Sequence, residues 1–200
     1  MTFNELKKLS KTDTSGCPKL RAALLGDTAT QFLAAALKGM SAKLGMNLDL
    51  FEADFNQVES LLSARNSELE KFGADFIIVF QSSQKLLEKH SRLGFNSQKN
   101  LAAERIDFLK AACKNFPKPK IICLNYAEID DGIFGSYANK IEASFISQVR
   151  RLNLSLAQLA QETPNFYVCD IAALQNKIGR QAMFNPMLYA NAEIDISPDA

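Results

Sequence analysis

The alternation of short apolar runs with longer amphipathic segments constrains the fold of this chain most strongly. The short runs are apolar at nearly every position, as strands buried on both faces are. In the longer segments, apolar residues recur every three or four positions, as on one face of a helix. Strands that alternate with helices build a parallel sheet covered on both faces, so the sequence predicts a doubly wound five-stranded α/β domain. The predicted strands are 20–25, 48–52, 76–80, 121–124 and 166–169.

Capping residues mark several helix starts. Thr2 and Glu5 have the spacing of a capping box, which predicts a short leading helix outside the sheet. Asn56 and Glu59 have the same spacing and predict a helix after the second strand. The longest helix is predicted over 136–161, with an apolar stripe that we expect to pack on the sheet and not in a coiled coil. Further helices are predicted over 30–44, 84–93 and 97–114.

The extent of the domain follows from the absence of linkers and repeats. We expect one domain over 19–200, preceded by a leading helix and a mobile segment over 1–18. Residues 197–200 read Ser-Pro-Asp-Ala, which is typical of a helix start. A doubly wound sheet needs a covering helix after its fifth strand, so we expect the natural polypeptide to be longer. The alternative is a frayed polar tail.

Charge and hydropathy exclude some partners. The 23 Lys and Arg residues balance 22 Asp and Glu residues, which leaves a net charge of +1. Binding to nucleic acid or to an anionic membrane needs a basic excess, so we expect neither. No apolar run approaches the roughly 20 residues of a membrane span. Because the first residues also lack the apolar core of a signal peptide, we expect a cytoplasmic protein.

Metal and disulfide chemistry is weakly supported. The four cysteines include no Cys-x-x-Cys pair, and Cys123 and Cys169 fall in predicted strands. We therefore expect reduced, buried thiols. The acidic loop over 128–132 could hold a divalent cation, but it lacks the alternating acids of a calcium loop, so a solvated turn is favoured.

Polar residues at the carboxyl ends of the strands are the candidate site, because ligands of open parallel sheets bind there. Asp27 and Thr28 follow the first strand, Ser82 and Ser83 the third, and Asn125 the fourth. Thr28, Ser82, Ser83 and Asn125 could line a shallow binding pocket. Residues of these types also cap helices well, and that alternative stays open.

The segment 26–28, Gly-Asp-Thr, resembles the nucleophile block of SGNH (GDSL-type) hydrolases, with Thr28 in place of their Ser. By chain order, the Gly-x-Asn-Asp block of that family falls on 81–84, where Ser83 replaces the Asn. The Asp-x-x-His that supplies the base of the family falls on 192–195, Ala-Glu-Ile-Asp, which lacks both residues.

These replacements weaken the case for hydrolysis. A hydroxyl nucleophile needs an adjacent base to take its proton. The single histidine, His90, is predicted to face solvent on a helix far from the expected base. The catalytic candidates are therefore reduced to Asp27 and Thr28, and neither is assigned a role.

The segments 25–33, 45–53, 66–69, 75–80 and 184–189 carry a broader resemblance. They resemble the N-terminal region of FkbH-like proteins, over roughly 19–200. This resemblance implies a flavodoxin-like or SGNH-hydrolase-like fold with degraded catalytic blocks, followed by a phosphatase domain of the HAD superfamily. The HAD signature Asp-x-Asp-x-Thr does not occur in 1–200, so the resemblance implies that it follows Ala200. Magnesium would belong to that domain, and no cofactor is expected in this segment.

Three functions remain open at this point. The first is a non-hydrolytic module that binds a substrate, an acyl carrier protein or its own phosphatase domain. The second is an ester hydrolase or acyltransferase that uses Thr28. The third is an oligomerisation domain.

Overall fold

A computed structural model describes residues 1–64, 67–129 and 131–198, and it confirms the predicted sheet. Five parallel strands lie in the order β2-β1-β3-β4-β5. The strand order reverses at β1, so the crevice beside β1 and β3 is where a ligand site is expected. The strands are β1 Lys19–Gly26, β2 Asn47–Glu52, β3 Phe76–Phe80, β4 Lys120–Leu124 and β5 Phe166–Cys169.

Helices flank this sheet. In chain order they are α1 Phe3–Leu9, α2 Gln31–Lys43, α3 Val58–Ser63, α4 Glu68–Phe72, α5 Ser83–Ser91, α6 Phe95–Gln98, α7 Leu101–Asn115, α8 Phe145–Glu162, α9 Ile171–Ile178, α10 Arg180–Met183 and α11 Pro186–Ala192. A 3-10 helix, Gly135–Lys140, precedes α8.

The core lies on both faces of the sheet. Alternate strand residues, such as Leu25, Val79 and Ile121, join a large buried cluster with α7 and α8. Phe80 and Leu124 point to the other face and pack with residues of α9 and α10. Burial on both sides is the reason that these strands are apolar at nearly every position.

The helix predicted over 136–161 is two helices, so its predicted start is wrong. Ser144 caps α8: its hydroxyl accepts from the Ser147 N–H at 3.4 Å and donates to the Ala138 carbonyl at 2.7 Å. A buried Ser with these bonds favours a new helix start over a continuous helix. The apolar stripe of α8 is buried as predicted, through Phe145, Val149, Leu152, Leu156 and Leu159.

The leading helix α1 has the predicted capping box. The Thr2 N–H donates to the Glu5 carboxylate at 2.8 Å, and the Glu5 N–H donates to the Thr2 hydroxyl at 3.3 Å. This helix packs on α2, where a Cβ added to Gly39 would lie 2.1 Å from the Leu6 carbonyl oxygen. Gly39 therefore permits the close approach of the two helices.

The second predicted cap is wrong. Asn56 has a φ of +64°, and Gln57 is the N-cap of α3. Asn is one of the few residues that adopt left-handed backbone readily, so it is used here in a turn before the helix.

Two burial predictions also differ from the structure. His90 is buried, at 4% exposure, with Nε2 2.9 Å from the Ala143 carbonyl oxygen and its ring edge against Phe145. Burial lowers the pKa of His90. Cys123 is buried as predicted, whereas Cys169 is exposed at the end of the edge strand β5.

Some predictions fall outside the described residues. They concern Asp130 in the acidic loop, Asn66 in one of the similar segments, and the last two residues, 199 and 200, of the predicted final helix start. Within the part that is described, no helix is long and apolar enough to cross a membrane, and the four cysteines are free thiols.

Candidate functional site

The hydroxyl at the position of the resembled nucleophile is buried. Thr28 has 0% exposure, and within residues 1–64, 67–129 and 131–198 its Oγ1 has no hydrogen-bond partner. The next residue, Ala29, donates its backbone N–H to the Glu193 carbonyl at 3.0 Å. The C-terminal segment therefore lies against this turn, and Thr28 offers no oxygen to a ligand from solvent.

The two predicted serines serve the internal structure. The Ser82 hydroxyl caps α5 by accepting from the Lys85 N–H at 3.0 Å. The Ser83 hydroxyl donates to the Ala127 carbonyl at 2.7 Å. Both residues are at most 3% exposed. Ser82 is therefore a helix cap, which is the alternative left open by the sequence. Ser83 instead links α5 to the loop after β4.

Asn125 is likewise engaged within the fold. Its Nδ2 donates to the Asp170 carboxylate at 2.8 Å, and its Oδ1 accepts from the Ala172 N–H at 3.0 Å. These bonds join the end of β4 to the start of α9. Asn125 lies by a hollow next to β5 and away from the cleft described next.

The largest cleft described, of about 570 Å³, opens at the carboxyl edge beside β1 and β3. Of the predicted site residues, Asp27 lines it and Thr28, Ser82, Ser83 and Asn125 do not. Four cationic side chains line it instead: Lys85, Lys89, Arg92 and Arg105. Sequence reasoning missed these residues. A signal was present, because Lys85, Lys89 and Arg92 lie at i, i+4 and i+7 on one face of the helical segment after β3.

Arg105 is the most firmly held of these cations. Its side chain is 5% exposed, and its Nη1 donates to the Glu59 carboxylate at 2.8 Å. Its Nη2 donates to the Gln81 side-chain oxygen, and its guanidinium lies 4.9 Å from the centre of the Phe108 ring. The same Glu59 oxygen also accepts from Lys89 at 3.3 Å. One carboxylate is thus shared between two cations.

The carboxyl group of Asp27 lies at the edge of this cleft. It accepts the Ser82 N–H at 2.8 Å. Burial raises the pKa of Asp27 to about 6, although the Ser82 hydrogen bond and the charges of Arg105 and Lys85 oppose that rise. Asp27 therefore titrates close to neutral pH.

A second, partly buried carboxyl group lies close to Asp27. Asp195 is the last residue of the segment on which the resembled base falls. Burial, together with the charge of Asp27, raises the pKa of Asp195 to about 7. Nearby, Lys85 binds the Glu193 carboxylate at 2.9 Å, so the C-terminal segment is tied to α5.

The described residues of the acidic loop over 128–132 do not form a metal site. The Glu128 carboxylate is held by Arg150 at 2.9 and 3.0 Å. Across the described ranges, no three His, Cys, Asp or Glu side chains are grouped so that they could hold a metal ion.

The model of the family described as FkbH, N-terminal domain, matches residues 21–200. The N-terminal part of a Bacteroides fragilis protein, containing a phosphatase domain and complexed with Mg, superimposes with a TM-score of 0.97 at 44% identity. The match covers 100% of this chain and 53% of that protein, so the chain spans about half of its relative. No curated protein sequence gives a significant match.

A more distant match supports the fold alone. A lipase from a goat rumen metagenome superimposes with a TM-score of 0.50 at 17% identity, over 82% of this chain and 86% of the lipase. The predicted doubly wound α/β fold is confirmed by the strand order and is shared with this lipase, and no activity follows from the likeness.

Proposed function

The chain belongs to the FkbH N-terminal domain family, and from that premise we propose that it is a non-hydrolytic binding module that works with a phosphatase domain. Its cleft holds an anionic group of a small ligand, a phosphate or a carboxylate. One observation carries this proposal: four cationic side chains line the cleft at the edge where a hydrolase would present its nucleophile.

The geometry around Thr28 supports the absence of hydrolysis. Its hydroxyl is buried, so a substrate carbonyl cannot approach it without movement of the surrounding chain. The histidine that could act as a base, His90, is buried beside Ala143 and Phe145. General base catalysis contributes roughly 10² to 10⁴-fold to rate, and this chain offers Thr28 no imidazole for it.

The charges in the cleft support an anionic ligand. Besides Asp27, the acidic residues of the lining are Glu59 and Glu88, and they face four cations. Arg92 is paired with Glu88 and Lys85 with Glu193, whereas Lys89 and Arg105 share the single carboxylate of Glu59. The positive charge that is not matched pair by pair therefore lies at Lys89 and Arg105. A guanidinium that is already fixed loses little freedom when it binds an oxyanion. Arg105 is fixed in this way before any ligand arrives.

Binding of inorganic phosphate tests the proposal. We expect the Lys89→Gln/Arg92→Gln double variant to bind phosphate at least tenfold more weakly than the wild type in isothermal titration. The matched control is Lys110→Gln/Lys118→Gln, which removes the same charge from exposed positions outside the cleft lining. Equal affinity in the cleft variant and the control would contradict the proposal.

Ester hydrolysis tests the competing function. We expect p-nitrophenyl butyrate to react at the buffer rate with the wild type and with Thr28→Ala between pH 6 and 9. Turnover that Thr28→Ala abolishes would establish the hydrolase or acyltransferase alternative and overturn the non-hydrolytic assignment.

The proposed partner is the phosphatase domain, by analogy with the Bacteroides fragilis relative. Magnesium would be bound there, since the described residues of this chain do not offer a metal site. In a polypeptide with both domains, we expect the Lys89→Gln/Arg92→Gln change to raise KM and to leave kcat unchanged. An acyl carrier protein is the less favoured partner. A cleft of about 570 Å³ fits a small-molecule group better than a protein surface.

A further inference from the structure

A second cavity lies between the start of α5, the loop after β4, the helices α9 and α10, and the C-terminal segment. Its volume is about 280 Å³, and its lining includes the polar residues Gln84 and Asp195 and the apolar residues Ala127, Ile129, Met183 and Phe184. None of these residues lines the first cleft. The Ser197 N–H donates to the Met183 carbonyl at 2.8 Å, which fixes the C-terminal segment against this wall.

Two oxygen atoms of this lining have no hydrogen-bond partner among the described residues. They are Gln84 Oε1 and Asp195 Oδ1, and both are shielded from solvent. Buried polar atoms in folded proteins are nearly always hydrogen-bonded, so two unpartnered acceptors in one cavity call for a specific explanation. Both atoms accept hydrogen bonds, and the group that would satisfy them must donate.

The other polar groups of the cavity are already engaged. Gln175 accepts from the Glu128 N–H at 2.8 Å and donates to the Glu128 carbonyl at 3.0 Å. Arg180 donates to the same carbonyl. The positive charge of Arg180 in the lining disfavours a cationic ligand, so the donor should be neutral.

We propose that this cavity binds a short apolar ligand that carries a neutral hydrogen-bond donor, an amide N–H or a hydroxyl. Gln84 Oε1 and Asp195 Oδ1 accept from the donor. The four apolar side chains hold the ligand body. The site shares no lining residue with the anion-binding cleft.

Two isosteric compounds test this assignment. N-methylbutanamide carries one N–H donor, and methyl butanoate has an oxygen in its place. We expect the amide to shift the backbone NMR signals of Gln84, Ile129 and Met183 in a saturable manner. At pH 8.5, where Asp195 is ionised, a hydrogen bond to this charged acceptor contributes about 1.5 to 3 kcal/mol, so the amide should bind at least about tenfold more tightly than the ester.

Variants connect this preference to the two acceptors. Asp195→Ala and Gln84→Ala should each reduce the ratio of amide to ester affinity severalfold. Asp107→Ala, an exposed change on α7 outside the cavity, should leave it unchanged. Because Asp195→Ala could disturb folding, Gln84→Ala near the start of α5 provides an independent measurement of the amide-to-ester ratio.

Two results would overturn the assignment. Equal affinities for amide and ester would mean that the two residues satisfy one another, with the Gln84 amide group turned so that it donates to Asp195. Absence of a saturable shift with the amide would mean that the cavity holds only solvent.

Discussion

Replacement of Asp195 by Asn should stabilise the protein, and increasingly so as the pH rises. The change removes an ionisable group from a buried position and keeps the side-chain volume. Burial and the charge of Asp27 raise the pKa of Asp195 from 3.8 to about 7. The folded state therefore holds this proton more tightly than the unfolded state does.

The sign of the pH dependence follows from these two values. Below pH 3.8 both states are protonated, and Asp195 contributes its full stability. As the pH rises towards about 7, the unfolded state releases the proton first, so the free energy of unfolding of the wild type falls. The gap between 3.8 and about 7 corresponds to up to about 4 kcal/mol at pH 8, and to about 2 kcal/mol at pH 5.

Urea unfolding followed by circular dichroism between pH 4.5 and 8.5 measures this difference. We expect Asp195→Asn to exceed the wild type by up to about 4 kcal/mol at pH 8, with the advantage shrinking as the pH falls. The exposed change Asp107→Asn should show no comparable trend. A difference that stays constant with pH, or a destabilisation that grows with pH, would refute the account of Asp195 as a buried carboxyl beside a like charge.

Three further predictions concern the fold and the thiols. Gly39→Ala should weaken the packing of α1 on α2 by about 1 to 3 kcal/mol, because the new Cβ would lie 2.1 Å from the Leu6 carbonyl oxygen; faster proteolysis of the α1 segment would report it. Ser144→Ala should lower the free energy of unfolding by about 1 kcal/mol through loss of the α8 cap, and an unchanged urea midpoint would contradict that role. Cys169 should react with a thiol reagent in the native protein, whereas Cys123, whose pKa burial raises to about 12, should react only on unfolding; equal rates would show the burial to be misassigned.

The sheet could be predicted from the sequence because strands buried on both faces carry an unambiguous apolar pattern. The bounds predicted for β3 and β5 are those observed. The break between the 3-10 helix and α8 could not be predicted from the sequence, since the residues from 136 to 144 continue a plausible helical pattern. Only the packing of Ser144 against the Ala138 carbonyl reveals the cap.

The candidate site was harder to predict, because its chemistry depends on which way each helix faces. Lys85, Lys89 and Arg92 share one helix face, but charged residues on a helix are usually solvated, so this pattern alone does not distinguish a cleft from an exposed surface. The sequence contains a weak indication that His90 is buried, since His90 lies one helical turn after the buried Leu86. Arg105 comes from α7, and no local pattern joins it to α5. Its place in the cleft is a product of the tertiary fold.

The segment around Glu193 links the two proposals, the non-hydrolytic cleft and the second cavity. Its backbone lies against Ala29, next to the buried Thr28, and its carboxylate holds Lys85. Two residues later, Asp195 stands in the segment where a hydrolase of this fold would supply its base. Its carboxyl group makes no hydrogen bond to the Thr28 hydroxyl, which has no partner among the described residues, and it is free to accept a hydrogen bond from a ligand. If that is the role of this segment, Asp195→Ala should change ligand preference in the second cavity and leave phosphate binding in the cleft in place.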